Sequence, residues 1–135
     1  DRMVKVYLSN HFDYISNKLI PSYPLGLDVQ VASLDVLRKS LAIAKDENQH
    51  EHLFLSVYEN PKDFKLYNLT AELELNRPDL RWTLDTDEDY KFICAVYGNL
   101  YKKNEKFTSL DVIKFLELHP EVVALNKGIH QKPAR

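Results

Sequence analysis

The hydrophobic pattern of the chain switches repeatedly between the 3.6-residue period of helices and the two-residue period of strands. Met3, Val4, Tyr7 and Leu8 fall at helical spacing within 1–10, and Asp13-Tyr14-Ile15-Ser16-Asn17 reads as a short strand. Pro21, Pro24 and Gly26 interrupt regular structure before Leu27-Asp28-Val29-Gln30-Val31 alternates as a second strand, with Asp28 and Gln30 on one face. Ser33 is placed to cap a helix running to about Ala44, with Asp35 in its first turn and Leu34, Leu37, Leu41 and Ala44 on one stripe. The polar run 46–49 is expected to end it.

A further helix is expected from near Glu51, carrying Leu53, Phe54, Val57 and Tyr58 and stopping before Pro61, because proline disfavours helical geometry in the residue ahead of it. Residues 64–70 alternate as a strand, and 72–79 form a polar connection. Residues 80–84 alternate again and lead into a helix with Tyr90, Ile93, Cys94, Tyr97, Leu100 and Tyr101 on one face. After a loop at 104–107, Ser109 is read as the cap of a helix over 110–118, which His119-Pro120 ends before a short apolar turn at 122–125. The segment 127–135 reads as a mobile tail. Helices alternating with short strands define an α/β domain. Ser-Leu-Asp-Val at 33 and again at 109 marks two helix starts, not a repeat.

Composition narrows the function. With 18 basic and 20 acidic residues the net charge is −2, and no Lys/Arg block interleaves with aromatics, so a nucleic-acid partner is not indicated. No apolar run is long enough to span a bilayer and no signal peptide is present, so a soluble chain without a membrane partner is expected. A single cysteine cannot form an internal disulfide and fits a reducing, cytoplasmic setting. Position 1 is Asp and helical pattern is already under way at Met3, as expected of a chain that begins partway through a larger protein.

The candidate chemistry centres on Arg81-Trp82-Thr83-Leu84-Asp85-Thr86-Asp87-Glu88-Asp89, where a strand hands over to a helix. Asp85 or Thr86 can cap the helix, and the acidic first turn opposes its dipole; alternatively, Asp85 can hold a cation that bridges it to phosphate. His50-Glu51-His52 suggests a metal site, but neighbours two apart point about 200° around a helix, so both histidines reach one ion only off the helix. Glu51 and His52 are alternatively candidates for polar contacts to a substrate, a reading that the resemblance below favours. Gly26 either permits an unusual backbone angle in a turn or lets backbone approach a sugar, with Asp28 turned into the cleft. Cys94, on the apolar stripe, is read as a core thiol. Glycines only at 26, 98 and 128 exclude both a dinucleotide fingerprint and a Walker loop.

Taken in order, Asp13-Tyr14-Ile15-Ser16-Asn17, Tyr23-Pro24, Gly26-Leu27-Asp28-Val29, Glu51-His52, Arg81 to Thr86 with Glu88-Asp89, and Ala124-Leu125-Asn126 resemble the C-terminal half of the spore coat polysaccharide biosynthesis cytidylyltransferase-like family. These are relatives of acylneuraminate and 3-deoxy-manno-octulosonate cytidylyltransferases. The resemblance lies in the order and spacing of the set and covers nearly the whole chain.

It implies a Rossmann-like three-layer nucleotidyltransferase sandwich, of which 1–126 would supply the C-terminal, acceptor-sugar and metal side. It further implies a reaction of CTP with a sugar acid to give a CMP-sugar for surface polysaccharide biosynthesis, with Mg2+ as cofactor. By the same resemblance Asp85 is a metal ligand, Thr86 and Asp89 support it, Gly26, Asp28, Glu51 and His52 bind the acceptor, and the 13–31 region helps form a homodimer. The chain departs from the family where His50 replaces the usual arginine before Glu-His, Gln30 stands where an acidic residue is common, and Leu25 replaces the usual aspartate before the glycine. The CTP loop and the first metal aspartate belong to the family's N-terminal half, so the chain alone is expected to be inactive. The competing expectation is a non-catalytic α/β assembly or carbohydrate-pathway interaction module that kept the fold without the chemistry.

Overall fold

A computed structural model describes residues 1–52 and 54–130. The described residues divide into two compact units, one built from Asp1–Pro21 and Asp28–Leu69, the other from Ser22–Leu27 and 70–130.

The first unit is organised by strand β1 (Tyr14–Ser16), every residue of which is buried. It pairs antiparallel with β2 (Gln30–Ala32), setting Tyr14 opposite Ala32 and Ser16 opposite Gln30, and parallel with β3 (Leu66–Asn68), setting Tyr14 opposite Leu66. The order is β2-β1-β3. Because β1 is central, its alternating side chains feed both faces of the sheet. Tyr14 joins Val36, Val57 and Phe64 on one side, while Ile15 joins Met3 and Leu69 on the other.

Helix α1 (Arg2–Ser9) covers the Ile15 face through Met3, Val6 and Tyr7. Val4 and Leu8, which spacing alone assigns to the same stripe, are exposed. Helix α2 (Leu34–Ile43) begins as expected, with the Ser33 hydroxyl accepting the Val36 N–H. Its buried face runs through Val36 and Ser40, where Ser40 hydrogen-bonds Ser56, and Leu34 and Leu41 of the expected stripe face outward. Residues 46–49 do not simply end this helix. The Asp46 carboxylate accepts the Gln49 N–H and starts a short helix α3 (Glu47–Glu51), and a separate turn of helix, α4 (Leu55–Tyr58), follows. The single helix expected from Glu51 is therefore split at His52, which has non-helical backbone angles; Leu53 lies outside the described residues.

The second unit packs α5 (Asp87–Leu100), α6 (Ser109–Leu118) and α7 (Pro120–Ala124) around Leu80, Phe92, Val96, Ile113, Leu116 and Val122. One turn of 3-10 helix, Leu73–Leu75, interrupts the polar connection, with Leu75 packed on that core. The strand expected over 80–84 is reduced to one parallel bridge between Leu25 and Arg81, held by Leu25 N–H to the Leu80 carbonyl (2.9 Å) and Trp82 N–H to the Leu25 carbonyl (2.7 Å). A strand needs a partner of matching length, and among the described residues the 22–27 segment pairs with 80–84 at a single bridge.

The α5 face is also rotated from expectation. Phe92 and Val96 are buried beside Asp89, whereas Tyr90, Tyr97 and Tyr101 are largely exposed, and Cys94 is an exposed free thiol, not a core residue. Helix α6 starts one residue earlier than expected, because Thr108, not Ser109, is the cap and shares a reciprocal capping box with Asp111. Val122, read as part of an apolar turn, lies in α7. Ile129 N–H donates to the Asn126 carbonyl (3.1 Å), and residues 131–135 of the expected mobile tail lie outside the described residues.

Gly26 has the one positive φ recorded among the described residues (107°), and a Cβ there would sit 2.8 Å from the Trp82 carbonyl carbon and 2.9 Å from its oxygen. Both the angle and the space demand glycine. Replacement of Gly26 by alanine is expected to lower stability by about 1–3 kcal/mol, read as a fall in the urea midpoint at constant slope.

Candidate functional site

At the start of α5 the chain builds a buried charge network around Asp89, which is 0% exposed. Arg81 Nε donates to Asp89 Oδ1 (3.0 Å) and Nη2 to Asp89 Oδ2 (2.9 Å), the two-pronged fit between guanidinium and carboxylate. Thr83 Oγ1 (3.0 Å), the backbone N–H of Asp85 (3.1 Å) and Asn126 Nδ2 (2.9 Å) also donate to this carboxylate, and Asn126 Nδ2 spans to the Arg81 carbonyl (3.0 Å). The Arg81 guanidinium holds the Asp89 carboxyl well below the usual carboxylate range, more than offsetting the desolvation that opposes it, and Asn126 adds to the effect. Asp89 in turn raises Arg81.

This network positions Asp85. Its backbone N–H is tied to Asp89, and its carboxylate Oδ2 accepts from Arg81 Nη2 at 3.1 Å, while the side chain remains 58% exposed. The helix cap is Thr86, whose hydroxyl accepts the Asp89 N–H. Asp85 is thereby released from capping, and Asp89 accepts from both the Asp85 backbone and the Arg81 guanidinium that meets the Asp85 carboxylate. Among the described residues no group of three or more His, Cys, Asp or Glu converges as a metal cluster, at 50–52 or elsewhere. The chemistry of the donor set suits Mg2+ only in the form that ion commonly takes, one or two carboxylates completed by phosphate oxygens and water.

A second feature is a cleft of about 480 Å³ in the first unit, lined by residues that include Tyr14, Ser16, Lys18, Gln30, Glu51 and His52. The break between α3 and α4 brings Glu51 and His52 to this cleft, so two of the expected acceptor residues share it. Asp28 pairs with the lining residue Lys18 (3.6 Å). Gly26 belongs to the second unit, against the Trp82 backbone.

Sequence reasoning did not single out Asn126 or the Arg81–Asp89 pair as a network. The spacing of Arg81 and Asp89 carries no helical or strand period, since a non-helical segment separates them, and Asn126 reaches them from far along the chain. It quoted Tyr14 and Ser16 without giving them a place in the cleft and did not name Lys18; their two-residue spacing was the available signal.

No protein-family profile matches the chain. An uncharacterized protein of Methanocaldococcus jannaschii is 35% identical over 138 aligned positions, covering 100% of this chain and 54% of that protein. The spore coat polysaccharide biosynthesis protein SpsF of Bacillus subtilis is 29% identical over 121 positions, covering 88% of this chain and 50% of that protein. Among solved structures, a cytidylyltransferase from Leptospira borgpetersenii superposes with a TM-score of 0.85 at 25% identity, over 97% of this chain and 54% of that one. The chain thus has the α/β fold of that part of the enzyme and spans about half the length of the curated relatives it matches. Among the described residues no helix is long and apolar enough to cross a membrane.

Proposed function

We propose that the chain is part of a cytidylyltransferase similar to the spore coat polysaccharide biosynthesis family, and that the intact protein joins CTP to a sugar acid, forming a CMP-sugar for surface polysaccharide and releasing pyrophosphate. The observation that carries this reading is the likeness to a cytidylyltransferase across 97% of the chain, joined to sequence relationship with a polysaccharide biosynthesis protein. In the reaction the acceptor hydroxyl oxygen bonds to the α-phosphorus of CTP, the bond from that phosphorus to the bridging oxygen breaks, and the hydroxyl proton is lost. Transfer of this kind depends on positioning and charge neutralisation.

Asp85 would hold Mg2+, which when bound neutralises charge on the phosphate oxygens. Arg81, anchored on Asp89, fixes the Asp85 carboxylate from one side and leaves its exposed side for the cation. In the cleft, Glu51 and His52 would meet the acceptor hydroxyls, with Asp28 acting through Lys18. Gly26 would contribute by shaping the 22–27 turn, and the 13–31 region would contribute to a homodimer in the cytoplasm.

The test is pyrophosphate release by the intact protein supplied with Mg2+, CTP and a panel of nonulosonic and octulosonic acids, with UTP and GTP compared in parallel. Release with CTP and one of the acids is expected. No release from any combination would overturn the enzyme reading and leave a non-catalytic module.

A further inference from the structure

We propose that the Gln30 amide nitrogen and the Lys18 ammonium form the carboxylate-recognising end of the cleft in the first unit, and so select an acidic over a neutral sugar. The inference rests on the nucleotidyltransferase reading and assigns the residues that discriminate its acceptor.

Strand alternation sets the arrangement. Tyr14, Ser16 and Lys18 recur at the two-residue period, and all three line the cleft. The antiparallel register places Gln30 directly opposite Ser16, beside them. The Lys18 backbone N–H donates to Ser16 Oγ (3.0 Å), and the Tyr14 hydroxyl donates to Gln30 Oε1 (2.8 Å). Burial pushes the Tyr14 phenol up to about 12, against hydrogen bonding from Ser16 that lowers it, so the phenol keeps its proton through the physiological range. With that proton donated to Oε1, the amide orientation is fixed. The Gln30 NH2 group is a donor with no capacity to accept, and it is the group suited to an anionic oxygen.

Lys18, in the turn that follows β1, adds a second donor. Its Nζ stands 3.6 Å from Asp28 Oδ2, beyond hydrogen-bond length, so the ammonium retains donors for another oxygen. Two donors, Gln30 on β2 and the charged Lys18 in the turn after β1, suit the two oxygens of a carboxylate. The cleft is polarised, because Glu51 supplies an acceptor from the α3 side and His52 can donate or accept there. A ligand carrying one acid group and several hydroxyls satisfies both ends. A second acid group would meet Glu51.

The test measures binding to the intact protein by calorimetry, using N-acetylneuraminate, 3-deoxy-manno-octulosonate, their methyl esters and CTP. At least one acid is expected to bind at least tenfold more tightly than its ester. Lys18→Met and Gln30→Glu should each weaken that acid about tenfold while leaving its ester, and CTP, within twofold. Gln30→Glu keeps an acceptor for Tyr14 and exchanges the donor for a negative charge that repels a carboxylate, and unchanged urea midpoints establish that both variants are folded. Equal binding of acid and ester, no binding of either acid, or unchanged acid affinity in the folded variants overturns the assignment. Loss of CTP affinity in place of acid affinity also overturns it, because the recognised anion is then the nucleotide phosphate. Selective acid binding without pyrophosphate release in the presence of CTP would instead sink the enzyme reading and leave the carboxylate site standing.

Discussion

Replacement of Asp89 by asparagine will destabilise the protein by about 3–5 kcal/mol, the range for removing one partner of a buried ion pair. The amide preserves shape but removes the charge that Arg81, itself buried, is folded against. It also forces an NH2 group towards donors, since Asp89 accepts from Arg81, Thr83, the Asp85 backbone and Asn126 at once. The double replacement Arg81→Met with Asp89→Leu should cost less than the sum of its single replacements, because it leaves no uncompensated charge behind. Urea unfolding of the four proteins measures this, and additive losses would show that the two side chains are not coupled.

The same pair sets an acid limb on stability. Arg81 depresses the folded carboxyl of Asp89, so the unfolded chain takes up the proton first as pH falls. The stabilisation is complete well above the ordinary aspartate value of about 3.9 and declines as pH drops below it towards the folded value. Unfolding free energy between pH 5 and 3 should therefore fall more steeply in the parent than in the Asp89→Asn protein. Parallel profiles would place the acid sensitivity elsewhere.

The largest expected effect on activity belongs to Asp85. Its replacement by asparagine should lower Mg2+-dependent pyrophosphate release by the intact protein at least ~100-fold, because the charge that faces the cation is lost. Stability should change by less than about 1 kcal/mol, since the Asp85 side chain is mostly exposed and Arg81 keeps its two-pronged anchor on Asp89. The split between turnover and stability is what separates a metal ligand from a structural residue. A loss of stability with turnover intact would reassign Asp85 to the Arg81 network alone.

Helix starts were the most legible part of the fold, because a cap is local. Ser33 and Thr86 both accept the backbone N–H three residues ahead, as the sequence pattern suggested. Faces were less legible, because spacing cannot rank an apolar residue against a polar one that has found partners. Burial of Asp89 turns α5 so that Phe92 and Val96 point inward and the tyrosines outward; burial of the Ser40–Ser56 pair similarly accompanies the exposure of Leu34 and Leu41 on α2. The polar run at 46–49 misled for a related reason, since Asp46 reads equally as the end of one helix and the cap of the next, and the Gln49 N–H decides for the cap. At the site, Glu51, His52 and Asp85 were visible as residue types. The groups that aim or anchor their surroundings, Asn126, Tyr14 and Arg81 with Asp89, depend on pairings that only the folded chain creates.

The bridge between Leu25 and Arg81 has a consequence for synthesis. Leu25 emerges from the ribosome well before the strand position that will receive it, and at about 5–20 residues per second the delay is roughly 3–11 s. Throughout that interval Leu25 lacks the Leu80 carbonyl and Trp82 N–H that its backbone pairs with in the folded chain. A nascent chain stalled before Arg81 should accordingly be cut by protease at 22–27, and one stalled beyond 130 should resist.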